Sequence, residues 1–116
     1  MQDKPRYTFH YTPEDYFNSL DATSDYVPPE FEQDGFIHCT DGAENVARVA
    51  TTLFRYDERS FLALYIDKTL VTSPIVYEDP GEIYPHIYGP LQRKAIVRVL
   101  NAWRDHDGFF LPMPDM

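Results

Sequence analysis

Residues 34–54 read DGFIHCTDGAENVARVATTLF, a strand that feeds directly into a helix. Gly35 precedes the strand, and Phe36 to Thr40 form its short body. Asp41-Gly42-Ala43-Glu44 has the form of a capping box, with Asp41 as cap and Glu44 reaching back. Ala43, Val46, Ala47, Val49, Ala50, Leu53 and Phe54 then recur at helical spacing, so the helix runs to about Phe54. A strand followed by a well-capped amphipathic helix sets the frame for the segments on either side.

Upstream, Arg6 to Tyr11 (RYTFHY) alternates. Tyr7, Phe9 and Tyr11 share one face, and Thr8 and His10 the other, which reads as a strand. Thr12-Pro13-Glu14-Asp15 reads as a helix start, with Thr12 as cap and Pro13 in the first position. Tyr16, Phe17 and Leu20 give that helix its apolar side. Asp21 to Asp34 is polar around Pro28-Pro29, with at most a short strand near Tyr26-Val27.

Downstream, Ser60 to Ile66 (SFLALYI) is almost continuously apolar, as a central strand is. Asp67 to Thr72 reads as one helical turn and Ile75 to Glu78 as another strand. Ile83 to Pro90 holds two prolines and a glycine, and so reads as irregular rather than as a central strand. Leu91 to Ala95 is a turn before a last strand, Ile96 to Trp103. Gly108 to Met116 is a docked or frayed end. Two helices and five or six strands without βαβ alternation predict an α+β fold. Its sheet is expected to be small, mixed and mostly antiparallel, in one domain over residues 1–116 with a core of about 6–111.

The 116 residues suit one core, and 43% are apolar. Nine Tyr and eight Phe imply half-buried aromatic walls around a pocket or an interface. Nineteen acids against ten bases give a net charge of −9, with no basic run. That balance excludes DNA as a partner and argues against RNA, because phosphate binding relies on clustered Lys and Arg. A small molecule or nucleotide is the expected partner. The single cysteine, Cys39, allows no internal disulfide. The polar start, Met1 to Pro5, shows no secretory signal, and no apolar run reaches the length of a membrane span. These features predict a cytoplasmic protein without membrane contact.

The chemistry-bearing residues are the histidines. His106 lies in a polar turn and receives no role. His10, His38 and His86 lie in ordered segments, where an imidazole is either a satisfied core group or a site residue. Three such residues in a small domain favour a shared pocket. A metal is not expected: HxxxH and CxxC spacings are absent, and His38 and Cys39 point to opposite faces of a strand. Cys39 shares the parity of Ile37 and reads as a buried thiol rather than a nucleophile. Thr40 is a polar companion of His38. The junction Thr40-Asp41-Gly42 offers backbone N–H groups to an anion, in competition with the Asp41 carboxylate. Glu78 and Asp79 end a strand just before the His86 loop, where a carboxylate orients an imidazole or a ribose hydroxyl.

Three motifs together, Asp34-Gly35-Phe36-Ile37-His38-Cys39-Thr40, Val76-Tyr77-Glu78 and Tyr84-Pro85-His86-Ile87-Tyr88-Gly89-Pro90-Leu91, resemble the DUF952 family. Phe9-His10-Tyr11 is similar to its opening strand. The resemblance implies a fold like that of the ADP-ribosyltransferases, including the RNA 2′-phosphotransferases, with a split pair of small sheets around an NAD cleft. It places His10 at the first-strand position that holds cofactor and His38 and Thr40 near the second. Glu78 or His86 is nearest the third, while the catalytic Glu motif of the toxins is not visible. The catalytic candidates are then His10, His38 and His86, and the ligand-binding candidates Thr40, Glu78 and Tyr88, with NAD as the implied cofactor. Three readings stand: an NAD- or nucleotide-dependent transferase or hydrolase, an inactive nucleotide-binding module, and an interaction protein whose histidines are simply packed.

Overall fold

The computed structural model describes residues 4–114. Met1–Asp3 of the polar start and Asp115–Met116 of the tail lie outside the described residues. Two three-stranded antiparallel sheets form an α+β fold. The first holds β1 (Tyr7–Pro13), β3 (Phe61–Asp67) and β6 (Ile96–Asn101) in the order β1-β3-β6. The second holds β2 (Ile37–His38), β5 (Pro85–Ile87) and β4 (Ile75–Tyr77) in the order β2-β5-β4. Three α-helices accompany them: α1 (Glu14–Ser19), the single turn α2 (Phe31–Asp34) and α3 (Ala43–Phe54).

β3 is central, as its apolar run predicts, because both of its faces are covered. Phe61 and Ala63 meet Phe9 and Tyr11 of β1, Val46, Ala47 and Ala50 of α3, and Phe110 and Met113 of the docked tail. Leu64 and Ile66 point the other way, onto Ile37, Cys39 and Ile87 of the second sheet and onto Tyr26 and Leu91. The first sheet is thus the middle layer. Its second face also buries Thr8, His10 and Thr12, which alternation places on a polar side. The second sheet covers those residues, so their parity marks an inner face.

Several local expectations are corrected. Thr12 does not cap α1: it is buried in β1, and Pro13 holds the cap position without a side-chain bond. The helix of Ala43–Phe54 forms, but without a capping box. Its cap is Gly42 at φ 94°, a left-handed conformation natural to glycine. The Asp41 carboxylate is drawn away, accepting from Lys68 Nζ at 3.3 Å and from Tyr77 Oη at 2.5 Å. The backbone donors of the Thr40–Asp41 junction are used too. Thr40 N–H donates to Phe9 O at 2.9 Å and Asp41 N–H to Ile83 O at 2.8 Å, which leaves no anion cradle at these two groups. The segment read as irregular supplies β5, the middle strand of its sheet. Its proline is tolerated because Pro85 heads a strand of three residues and acts as an acceptor, taking the Cys39 N–H at 3.1 Å. Tyr26-Val27 contributes only a bridge from Tyr26 to Leu91.

Asp41, Lys68 and Tyr77 tie the end of β2, the end of β3 and β4 together, with the Asp41 and Lys68 side chains almost wholly buried. Asp41→Ala leaves the Lys68 ammonium without its counter-charge, and we expect a loss of about 3 kcal/mol in urea unfolding. Glu44→Ala, which disturbs no capping box, is expected to change stability by less than about 0.5 kcal/mol.

Candidate functional site

β2 and β5 place two imidazoles side by side. Cys39 and Pro85 form a hydrogen-bonded pair, so their neighbours His38 and His86 form the non-bonded pair, in which side chains stand closest. Ile37, Ile75 and Ile87 point into the core, and His38 and His86 point out. The two rings meet edge to face with centroids 5.4 Å apart. Phe36 stacks on His86 at 4.0 Å and 18° and leans on His38 at 4.6 Å.

Each imidazole has its own carboxylate. His38 Nε2 lies 3.0 Å from Asp34 Oδ2, and His86 Nδ1 lies 2.9 Å from Glu78 Oε1. With each carboxylate accepting a hydrogen bond from a ring N–H, the opposite ring nitrogen has no partner among the described residues: Nδ1 of His38 and Nε2 of His86. Tyr88 Oη also donates to Glu78, holding that carboxyl below the usual carboxylate range, with the His86 bond adding to the effect. The same bond raises the Tyr88 phenol. Tyr88 thus stands behind Glu78 and against Phe36, with centroids 5.2 Å apart.

His10 lies one layer deeper. It is 3% exposed, and both ring nitrogens are engaged: Nδ1 donates to the His38 carbonyl at 2.6 Å, and Nε2 accepts from Tyr26 Oη at 2.8 Å. Burial lowers its pKa from 6.5 to about 4, so the ring is neutral near pH 7. The structure therefore brings His38, His86 and Glu78 together at the surface and joins His10 to them through a backbone carbonyl. Cys39 faces the core, and burial pushes its thiol well above the usual range. His106 is exposed and lines a separate polar hollow with Arg55 and Arg104.

A cleft of about 640 Å³ opens beyond the β1 edge, between α3 and the imidazole pair. Val46, Val49, Ala50 and Leu53 of α3 form its apolar wall, and Thr40 and the end of β1 also line it. Glu30, Asp34, Glu78 and Asp79 bring four carboxylates to its lining, against the single guanidinium of Arg59. Among the described residues no group of three His, Cys, Asp or Glu is placed to hold a metal ion. No helix among them is long and apolar enough to cross a membrane. Sequence reasoning overlooked Asp34, Phe36 and Glu30. A usable signal existed for the first two, since Asp34 precedes His38 by four residues across a turn and Phe36 shares its strand parity.

The fold and this site define a class: small α+β domains with a split pair of sheets and a histidine-walled cleft. The chain belongs to the family described as Protein of unknown function (DUF952), whose model matches residues 11–99. The crystal structure of protein CC0527 from Caulobacter crescentus is similar over 90% of this chain and 93% of that chain, with a TM-score of 0.76 and 20% identity. A double-mutant form of that protein gives the same values and likewise supports the shared fold. No curated protein matches the chain.

The low pKa of His10 has a signed consequence. The unfolded chain binds a proton near pH 6.5 that the folded chain resists down to about 4. The stability that His10 contributes is present above pH 6.5 and is lost as pH falls toward 4. The loss from this group is about 3 kcal/mol over that window. Urea unfolding at pH 7 and pH 4.5 should show a smaller drop for His10→Gln, which has no proton to gain, than for the unaltered chain.

Proposed function

We propose that the His38–His86 pair is an acid–base centre acting on a small ring-bearing ligand held in the adjoining cleft. One observation carries this reading: two imidazoles in contact, each with a carboxylate on one nitrogen and the other nitrogen uncommitted. A carboxylate that fixes the tautomer and steadies the imidazolium is how a histidine is prepared to move a proton. His86, backed by Glu78 and stacked on Phe36, is the more enclosed of the two and serves as the proton acceptor. His38 is its companion on the ligand. His10 is a positioning residue, because its bond to the His38 carbonyl sets the height of β2 against β1. Thr40 and Tyr88 support the ligand and Glu78 respectively.

The resemblance to the ADP-ribosyltransferases supplies the reaction class, with NAD or a related nucleotide as substrate. In hydrolysis, water adds at the ribose C1′ and nicotinamide leaves with the electrons of the glycosidic bond. His86 takes the proton of the water. In transfer, another hydroxyl takes the place of water. The second reading is a binding module without turnover. It is favoured by Arg59, the one guanidinium in the cleft lining, which is already paired with Asp57 at 2.6 Å and so is not free for phosphate.

Nicotinamide release from NAD, followed alongside an NMR titration, tests both. The enzyme reading expects turnover that falls at least about 100-fold in His86→Ala. Ligand-induced shifts at His38 and His86 without nicotinamide release support the binding module. A flat response at both rings across NAD, ADP-ribose and adenosine would count against either.

A further inference from the structure

Away from the cleft, the far edge of the first sheet is open. β6 pairs with β3 on one side only. Ala102 N–H donates to Phe61 O at 3.0 Å, so strand alternation turns the backbone of residues 98, 100 and 102 toward β3. The backbone of Val99 and Asn101 faces outward, and their N–H and C=O groups meet no backbone partner among the described residues. Such groups are a template for another strand. Further along, the chain uses the same edge itself. Residues 109–111 lie beside residues 103–105, with Leu111 N–H donating to Trp103 O and Asp105 N–H to Phe109 O, both at 2.9 Å. Met113 then turns into the core, which leaves Asn101 and Val99 uncovered.

Two independent features define what fits there. Val97, Val99, Trp103 and Leu111 are exposed along this edge, so a covering strand meets apolar side chains. The charge is locally inverted. Residues 93–104 hold four of the chain's ten Lys and Arg and no acid, in a protein of net charge −9. The Lys and Arg ion pairs among the described residues fall on Lys4, Arg6, Arg59 and Lys68, and none falls on the exposed Lys94 or Arg98. A second copy of β6 laid alongside would bring these cations together, whereas acidic residues on an incoming strand would match them.

We infer that β6 takes up an extended acidic peptide segment of another protein, which adds a strand to the first sheet. Main-chain bonds to Val99 and Asn101 set its register, and alternate side chains divide the contacts. On one face apolar side chains lie against Val99, and on the other carboxylates reach Arg98. The shift of register between β3 and β6 at Val97 is a bulge that ends the open stretch and keeps the docked segment short. This surface is separate from the imidazole pair, so the two stand or fall independently.

Three end-blocked hexapeptides test the inference by NMR titration of the full chain: an alternating Glu-Val peptide, its Lys-Val counterpart and a Glu-Pro counterpart that keeps the charge but cannot pair as a strand. The Glu-Val peptide is expected to shift the Val99 and Asn101 amides, slow their hydrogen exchange, and bind at least about tenfold tighter than the Lys-Val peptide. That preference should weaken as salt rises to about 0.5 M and reverse in Arg98→Glu, an exposed position whose change leaves the core intact. The Glu-Pro peptide should leave both exchange rates unchanged. Equal binding of the two charged peptides, or no response at Val99 and Asn101 up to about 5 mM Glu-Val peptide, overturns the inference. Shifts confined to His38 and His86 also overturn it, by placing the peptide in the cleft. Protection of the two amides that grows with protein concentration alone, with a doubled mass in sedimentation, overturns it in favour of a second copy.

Discussion

Among the described residues a single antiparallel bridge joins the two sheets, and the cleft opens where that bridge ends. Phe9 and Thr40 exchange two backbone bonds of 3.0 and 2.9 Å. If the ladder continued, Tyr11 would pair with His38 and the sheets would close into one surface. Instead the His38 carbonyl is met by the Nδ1–H of His10. An imidazole reaches farther than a backbone amide, so β1 and β2 splay apart while the carbonyl stays satisfied. The buried carbonyl demands a donor, and the choice of donor sets the width of the gap.

This arrangement needs support elsewhere, since one bridge and one imidazole do not hold two sheets in register. Tyr26 locks the other nitrogen of His10 and bridges to Leu91, so the buried histidine is fixed from both sides. Across the domain, the Asp41–Lys68–Tyr77 group joins the ends of β2 and β3 to β4. Burial lowers the Lys68 ammonium and raises the Tyr77 phenol, so the group depends on all three partners being present. Two polar groups, one centred on His10 and one on Asp41, thus tie the split sheet together at separate points.

Long-range pairing is what the sequence did not reveal. The helix of Ala43–Phe54 and the central strand of Phe61–Asp67 were legible because their periodicity is local and unbroken. The cap of that helix was not, because Asp41 had backbone N–H groups near it in sequence while the winning partners, Lys68 and Tyr77, lie 27 and 36 residues away. β5 was hidden for a similar reason: a strand of three residues that begins on a proline and stops two residues short of a glycine is stabilised by its neighbours rather than by its own propensity. At the site, outward parity of His38 and inward parity of Cys39 were readable from alternation alone. The depth of His10 was not. Its face looks polar in a six-residue window and becomes interior only when a second sheet covers it.

The same side chain serves in two dielectrics, and the division of work follows from that. His10, buried with both nitrogens bonded, is held neutral down to about pH 4. Its donation to the His38 carbonyl therefore persists across the ordinary pH range, and with it the spacing of the strands. His38 and His86 stand one layer out, each with a carboxylate on one nitrogen and the other uncommitted. Were His10 exposed, protonation would leave Nε2 without its lone pair and break the bond from Tyr26. Were His38 and His86 buried, their carboxylate partners would lose the hydration that Asp34 and Glu78 retain. A frame that stays neutral near pH 7 and an imidazole pair at the surface are thus separated by a single layer of sheet.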